Sequence, residues 1–510
     1  MLINILNYFE DIVYNNKDRI AVVDGEKRLT FAQLMQKSKT ISEVISGIVD
    51  GKRCSPVAVY INKSESTVIA NLGILYSGNA YMNLDIKTPI NRIHNIIKLI
   101  EPACIITNEK NINALEKIYP SEKIINIDAV SFENSLEHRK IFGYETLIDV
   151  DPCCIINTSG STGVPKGVVL NHRSFIDFIT WANESTGIHE GEIIGSLSPA
   201  VFDIYSFELC MMMSGACTIV IIPDKLSAFP IRILELMAQQ KVSFIFWVPT
   251  IMVNIANLEL LTEVSLPDLR MVWFAGEVFP TKQFNTWRRS LPAVQFINLN
   301  GPIEITLDCT YYIVERELDN NEPIPICTAC KNTDILILNE AGRCISAGEE
   351  GELCVRGTSL AMGYFNNPEK TAAAFVQNPL NKSYPELIYR TGDIATMNER
   401  GEIIFKGRRD TLVKHGGYRI ELAEIEHVIV NTLQLVSNGC VIYDHKNKEI
   451  VLFYESAVEQ SVAEMRKVIS SVFPKYMIPT KYAWYQELPR NTNGKIDRLK
   501  LKELLNEQNH

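Results

Sequence analysis

Short, predominantly apolar runs recur along the first three hundred positions of this chain, and they constrain its fold more than any other feature. They are PVAVYI (56–61), ACIIT (103–107), CCIIN (153–157), CTIVIIP (217–223), SFIFWV (243–248), RMVWFAG (270–276) and QFINL (295–299). Runs this short and this rich in β-branched and aromatic residues read as strands buried on both faces. Between them lie stretches with apolar residues at helical spacing, such as FPIRILELMAQQK (229–241) and PTKQFNTWRRSL (280–291). A strand apolar on both faces needs a cover on both faces, and strands that alternate with helices pair in parallel. The expectation is an α/β protein with a large N-terminal domain of helix-covered, mostly parallel sheets.

From about 330 the pattern changes to shorter strands and tight turns: DILILNEAGR, GELCVRG and GEIIFKGRRD. These read as hairpin-rich, antiparallel structure. The last hundred residues read helix, strand, strand, helix, strand (LAEIEHVIVNT, NGCVIYD, EIVLFYE, SVAEMRKVISSV, KYAWYQEL), a small α+β unit. The polar, glycine-containing stretch KGRRDTLVKHGGYRIE separates the two, so domains are expected at 1–408 and 409–510. A chain of 510 residues is too long for one core.

Composition narrows the function. With 46% hydrophobic and 22% charged residues the chain is an ordinary globular protein. A net charge of −10 argues against a nucleic-acid surface as its main business. The N-terminus carries apolar residues at Leu2, Ile3, Leu6, Phe9, Ile12 and Val13, an amphipathic helix with neither the basic flank nor the cleavage site of a signal peptide. No apolar run approaches the roughly 20 residues of a membrane helix, so neither membrane insertion nor nucleic-acid binding is expected, and the cytoplasm is the expected home. The twelve cysteines are scattered, many in apolar runs, and read as buried free thiols; the one CxxC, Cys327 to Cys330, lacks a second pair or a histidine at ligand spacing.

One loop carries chemistry. NTSGSTGVPKGVV (157–169) follows the strand CCIIN and leads into another apolar run. A P-loop needs Gly, four residues, then Gly-Lys-Ser/Thr. Here Pro165 stands five places after Gly160, and Lys166 precedes Gly167, so that pattern fails twice. The loop still suits an anion, because backbone amides in glycine-permitted conformations form a nest and Ser159, Ser161 and Thr162 add donors.

The form TSGSTGVPKG resembles the adenylate-forming (ANL) enzymes, which include amino-acid adenylation domains, acyl-CoA synthetases and luciferases. It looks most like the stand-alone amino-acid-activating members, among them the D-alanine–carrier protein ligases, and like nonribosomal peptide synthetase adenylation domains. Further motifs match in the family's order over nearly the whole chain: RLTFAQL (28–34), AYMNLDIKTPINRI (80–93), VWFAGEVFPTKQFNTW (272–287), NLNGPIEIT (298–306), YRTGDIA (389–395), GRRDTLVKHGGYRIELAEIE (407–426) and PRNTNGKIDR (489–498). The resemblance implies a large adenylation core with a small distorted antiparallel barrel, followed by a mobile C-terminal domain.

It also implies a reaction and a set of roles. A carboxylate attacks the α-phosphorus of ATP, giving an acyl-AMP and pyrophosphate, and the acyl group then passes to a thiol. Thr158, Ser159, Gly160, Ser161, Thr162, Gly163 and Lys166 would grip the β- and γ-phosphates, with Lys166 a cation at the loop's edge. Asn300 and Gly301 stand at the adenine motif, Glu304 would hold Mg²⁺, Asp393 would bind both ribose hydroxyls, and Arg408 would add a nucleotide contact. Lys495 would reach the carboxylate and the α-phosphate together; a donor of that kind is worth roughly 10²–10³ in rate. Asp410 would be the hinge that swings Lys495 away and brings Lys414 and Gly417 to the site.

In SPAVFDIYSFEL, Asp203 matches the aspartate that pairs with a substrate α-ammonium. The other pocket positions carry over as Ile204, Phe207, Phe246, Trp273, Ala275, Leu299, Leu307 and Asp308. The large rings of Phe246 and Trp273 favour a small amino acid. The chain ends fifteen residues after Lys495, so the thiol is expected on the phosphopantetheine arm of a separate carrier protein. An acyl- or aryl-CoA ligase and a catalytically weak nucleotide- or carrier-binding homologue are the alternatives. Where the family has Tyr-Gly-Pro-Thr-Glu, this chain has Asn300-Gly301-Pro302-Ile303-Glu304, which removes the ring that stacks on adenine and a hydroxyl that contacts phosphate.

Overall fold

The computed structural model describes residues 3–132, 143–158, 165–346, 348–409, 412–490 and 496–507. Its backbone forms two compact units: Met1–Asp85, Ile100–Ile156 and Gly167–Arg409 make one, and Ile86–Leu99, Asn157–Lys166 and Asp410–His510 make the other.

The expected parallel sheets are there. A nine-stranded sheet runs Thr328–Ala329, Thr310–Ile313, Gln295–Asn300, Met271–Phe274, Phe244–Trp247, Ile193–Ser196, Thr218–Ile221, Ile20–Asp24 and Lys27–Thr30. Its pairings from Gln295–Asn300 to Ile20–Asp24 are parallel, and antiparallel strands close both edges. A seven-stranded sheet holds Pro56–Tyr60, Ala80–Asn83, Cys104–Thr107, Ile124–Asn126, Pro152–Thr158, Lys166–Asn171 and Gly363–Tyr364. Strands such as Phe244–Trp247 and Met271–Phe274 are buried at every position, which is why they lack alternation in sequence.

Helices cover these sheets closely. Gly73 lets Glu65–Tyr76 lie against Phe31–Val49, because a Cβ there would meet Ile41 Cγ2 at 2.6 Å and the Ser38 carbonyl oxygen at 2.9 Å. The N-terminal helix Ile5–Asn16 buries Ile5, Leu6, Phe9 and Val13. Ile3, expected on the same apolar face, is 44% exposed instead. It lies before the Asn4 cap, where helical spacing no longer applies.

The antiparallel region is a five-stranded sheet, Thr333–Leu338, Glu350–Gly357, Leu387–Met397 and Phe375–Gln377, with Ile403–Arg408 also paired to Leu387–Met397. The C-terminal part of the second unit keeps the expected order: helix Leu422–His427, strands Asn438–Asp444 and Glu449–Glu455, helix Val462–Ile469, strand Lys481–Tyr485 and a last helix, Arg498–Glu507. The stretch read from sequence as a polar connection at 412–421 is a hairpin, Leu412–His415 paired with Tyr418–Glu421. Nine cysteines are buried, Cys54 and Cys327 are half-buried, and Cys344 is exposed, contrary to the uniform burial expected. No helix among the described residues is long and apolar enough to cross a membrane.

Candidate active site

The residues expected to line the substrate pocket lie on one helix and on and beside three neighbouring strands of the first unit. Asp203 is the first residue of the helix Asp203–Gly215, and its Oδ1 accepts the Ile204 amide at 2.9 Å. One turn on, the ring of Phe207 stacks on Trp273, with centroids 5.1 Å apart and planes 18° from parallel. Phe246 is the direct partner of Trp273 on the adjacent parallel strand, and it meets both stacked rings edge to face. Phe207, Phe246 and Trp273 are all fully buried, and Ile204, Ala275, Leu299, Leu307 and Asp308 are buried around the same strand ends. Phe244 and Trp181 pack on Trp273 as well, so four other rings surround that indole. Aromatic carbon thus fills the space beside Phe207 and Trp273.

A second cluster surrounds Glu304. It is fully buried in the short turn Ile303–Ile305, and the Tyr364 hydroxyl donates to its Oε1 at 2.8 Å. The turn leaves by Thr306 and Leu307, whose φ values of 52° and 75° lie in the left-handed region. A β-branched residue in that region stores backbone strain, a feature that concentrates at functional sites. Gly301 is required by packing: a Cβ would lie 2.5 Å from the Asp308 Cα. The Asn300 Nδ2 and Thr306 Oγ1 are buried without a hydrogen-bond partner among the described residues. Unpaired buried polar atoms are costly, and a ligand that satisfied them would recover that cost.

Asp393 and Arg408 face each other across the Leu387–Met397 and Ile403–Arg408 pair and form a buried ion pair. Arg408 also donates to the Thr391 carbonyl at 2.8 Å, and the Asp393 amide donates to Thr391 Oγ1 at 2.9 Å. The guanidinium expected to touch nucleotide is thus itself the partner of Asp393, the carboxylate expected to bind the ribose.

Sequence reasoning missed two supports. Glu352 is buried in the strand Glu350–Gly357; it accepts from the Gly392 amide at 3.1 Å and from Arg390 Nε at 3.0 Å, and lies 3.7 Å from Arg409. One carboxylate therefore holds the turn before Asp393 and the residue that precedes Asp410. Its signal was present, since a lone carboxylate inside GELCV needs partners. The second is Lys63, whose ammonium donates to the Ser196 and Ser198 carbonyls at 2.7 and 2.8 Å. Ser196 in turn donates to Glu208 on the helix that begins at Asp203. Burial pushes the Glu208 carboxyl up to about 7, and the Lys63 charge opposes that rise. Nothing in the sequence pairs residues so far apart.

In the second unit, Thr158 ends the strand Pro152–Thr158 and Lys166 begins the strand Lys166–Asn171, its neighbour in the sheet. Ser159, Gly160, Ser161, Thr162, Gly163, Asp410 and Lys495 lie outside the described residues. Lys414 and Gly417 sit in the 412–421 hairpin, Lys414 opposite Arg419 and Gly417 in the turn with φ 83°.

Residues 9–365 match the model of a family described as AMP-binding enzyme. The chain belongs to that family. Its members are adenylate-forming enzymes that use ATP. One polypeptide of the mycosubtilin synthase of Bacillus subtilis is 32% identical over 96% of this chain, but the chain spans only 19% of that protein. Tyrocidine synthase 1 of Brevibacillus parabrevis is 30% identical, with 44% of its length spanned. Zwittermicin A synthase ZmaJ of Bacillus cereus is 29% identical over 96% of this chain and 93% of its own length. Among solved structures, the adenylation domain AlmE of Vibrio cholerae, in complex with glycyl-adenosine-5'-phosphate, superposes with a TM-score of 0.83 at 20% identity, covering 99% of this chain and 98% of its own. The o-succinylbenzoate CoA synthetase of Bacillus subtilis does so with 0.84 at 20% identity, over 98% of each chain. At such identities these likenesses establish the adenylation fold, which amino-acid-activating and CoA-forming members share.

Proposed function

We propose that this AMP-binding enzyme activates a small amino acid as its aminoacyl-AMP and passes it to the phosphopantetheine thiol of a separate carrier protein. The observation that carries the reading is the pairing of Asp203, at the head of its helix, with the aromatic cluster of Phe207, Phe246 and Trp273 one turn below. An acidic group beside a wall of rings suits an α-ammonium with little side chain beyond it. The AlmE complex holds a glycyl adenylate, an activated amino acid with no side chain beyond its α-carbon.

The chemistry assigns the remaining roles. A substrate carboxylate oxygen forms a bond to the α-phosphorus as the bond from that phosphorus to the pyrophosphate oxygen breaks. Charge accumulates on phosphate oxygens, so fixed donors and cations do the catalytic work. The loop 158–163 with Lys166 holds the leaving pyrophosphate, Asp393 with Arg408 holds the ribose, and Lys495 bridges carboxylate and α-phosphate. Glu304 suits Mg²⁺, because that ion takes one or two protein carboxylates and fills its other positions with water and phosphate oxygens. When bound, the ion neutralises charge on the phosphates. In the second half-reaction the thiolate attacks the acyl carbon, forming the C–S bond and releasing AMP, with Asp410 the hinge and Lys414 and Gly417 brought to the site. The enzyme works in the cytoplasm, where ATP and carrier proteins are available.

Asp203→Asn tests the substrate class. Loss of an ion pair to the ammonium predicts a roughly ten- to hundredfold rise in the amino-acid KM with the ATP KM unchanged. An unchanged amino-acid KM would leave Asp203 as a helix-terminal charge and favour the CoA-ligase alternative.

A further inference from the structure

The hairpin that carries Lys414 and Gly417 is short, and its base is anchored by Ile420, buried in the C-terminal core. It pairs Leu412 with Glu421, Val413 with Ile420, Lys414 with Arg419 and His415 with Tyr418, around a Gly416-Gly417 turn with φ values of 58° and 83°. Two left-handed glycines make the tight turn that suits strand twist, but two short strands alone are marginally stable in water. Something must fix the tip.

Two tyrosines from elsewhere in the same unit touch it there. The Tyr418 ring lies flat on Tyr476, with centroids 3.6 Å apart and planes 10° from parallel. On the opposite strand, His415 Nδ1 is 3.1 Å from the Tyr443 hydroxyl, and the two rings meet edge to face at 5.6 Å. Tyr443 stands on the strand Asn438–Asp444. Tyr476 stands in the short turn Lys475–Met477, between the buried residues Phe473 and Met477.

The register gives these contacts meaning. His415 and Tyr418 are direct cross-strand partners, so their side chains share one face of the hairpin. Lys414 and Arg419 are the next pair, and side chains alternate, so they share the other face. The tyrosines grip the aromatic face, opposite the charged one.

We infer that Tyr476 and Tyr443 are positioning residues for the thioester-forming step: they clamp the 412–421 hairpin from its aromatic side and so hold Lys414 and the Gly417 turn in the shape the thiol needs. The inference rests on the assignment of that hairpin to acyl transfer. It gives a role to the FPKYMIP stretch (473–479), which no step of the reaction uses.

The test measures both half-reactions and local protection in the full-length Tyr476→Ala, Tyr476→Phe and Tyr443→Phe variants. Adenylation is followed by pyrophosphate exchange with the amino acid that supports it best, and transfer by thioester formation on pantetheine. Tyr476→Ala is expected to cut transfer roughly two- to tenfold, the value of one aromatic pair, with exchange unchanged; Tyr476→Phe should retain both. Tyr443→Phe should weaken transfer alone. Hydrogen exchange at the 413–419 amides should rise by a similar factor in Tyr476→Ala, with the strands Asn438–Asp444 and Glu449–Glu455 still protected. Unchanged hairpin protection overturns the clamp whatever the catalytic outcome, and so does equal loss of both half-reactions. Gly417→Leu separates the premise: if it leaves transfer intact, the hairpin is not the thiol-side element. If it abolishes transfer while Tyr476→Ala does not, the clamp alone fails.

Discussion

Acid should loosen the N-terminal helix through His172. Its side chain is fully buried at the start of the helix His172–Ser185, where Nδ1 accepts the Ile5 amide at 3.4 Å. A nitrogen that accepts carries no proton, so the ring is neutral with its hydrogen on Nε2, which has no partner among the described residues. Burial pushes the imidazole pKa from 6.5 down to about 4, against the pull of Asp151 and Asp149. The folded value lies below the unfolded one. The stabilisation is therefore complete above pH 6.5 and disappears as pH falls towards about 4. Linkage over that interval is worth about 3 kcal/mol, and about 2 kcal/mol of it is gone by about pH 5. Hydrogen exchange of residues 3–16, corrected for intrinsic rate, reads this directly. Between about pH 8 and about pH 5, protection of that segment should fall roughly thirtyfold relative to the central strands. His172→Asn keeps an acceptor for Ile5 but does not titrate; it should lower protection at every pH and flatten the slope. Equal pH slopes in wild type and variant would refute the reasoning.

Asn300→Tyr should restore a ring at the adenine motif, and stacking worth about 1 kcal/mol would lower the ATP KM roughly fivefold in steady-state exchange kinetics. Trp273→Ala removes a fully buried indole and should cost about 3–5 kcal/mol, read as a lower midpoint in thermal or urea unfolding. The same variant should shift pyrophosphate exchange towards larger amino acids, since the lost ring opens the wall beside Phe207.

The sheets were legible because a strand buried on both faces leaves an unmistakable apolar run, as in SFIFWV. The helix Asp203–Gly215 was harder: every residue from 204 to 213 is buried, so no polar stripe marks its period. Ile3 misled because periodicity does not say where a helix begins. At the candidate site, motif order pointed to Asp203, Glu304 and Asp393, but not to the residues that hold them or their surroundings. Tyr364, Glu352 and Lys63 act across separations of 60, 40 and 133 residues, which a linear reading cannot pair. The 412–421 hairpin was hidden for a related reason, since its strands are polar on one face and held by residues far along the chain.

ATP–pyrophosphate exchange across the twenty amino acids and a panel of simple carboxylic acids tests the central claim most directly. The account predicts exchange with a small amino acid such as alanine, serine or proline, and little with fatty or aryl acids. Exchange confined to acids without an α-amino group, or none with any of them, would contradict it.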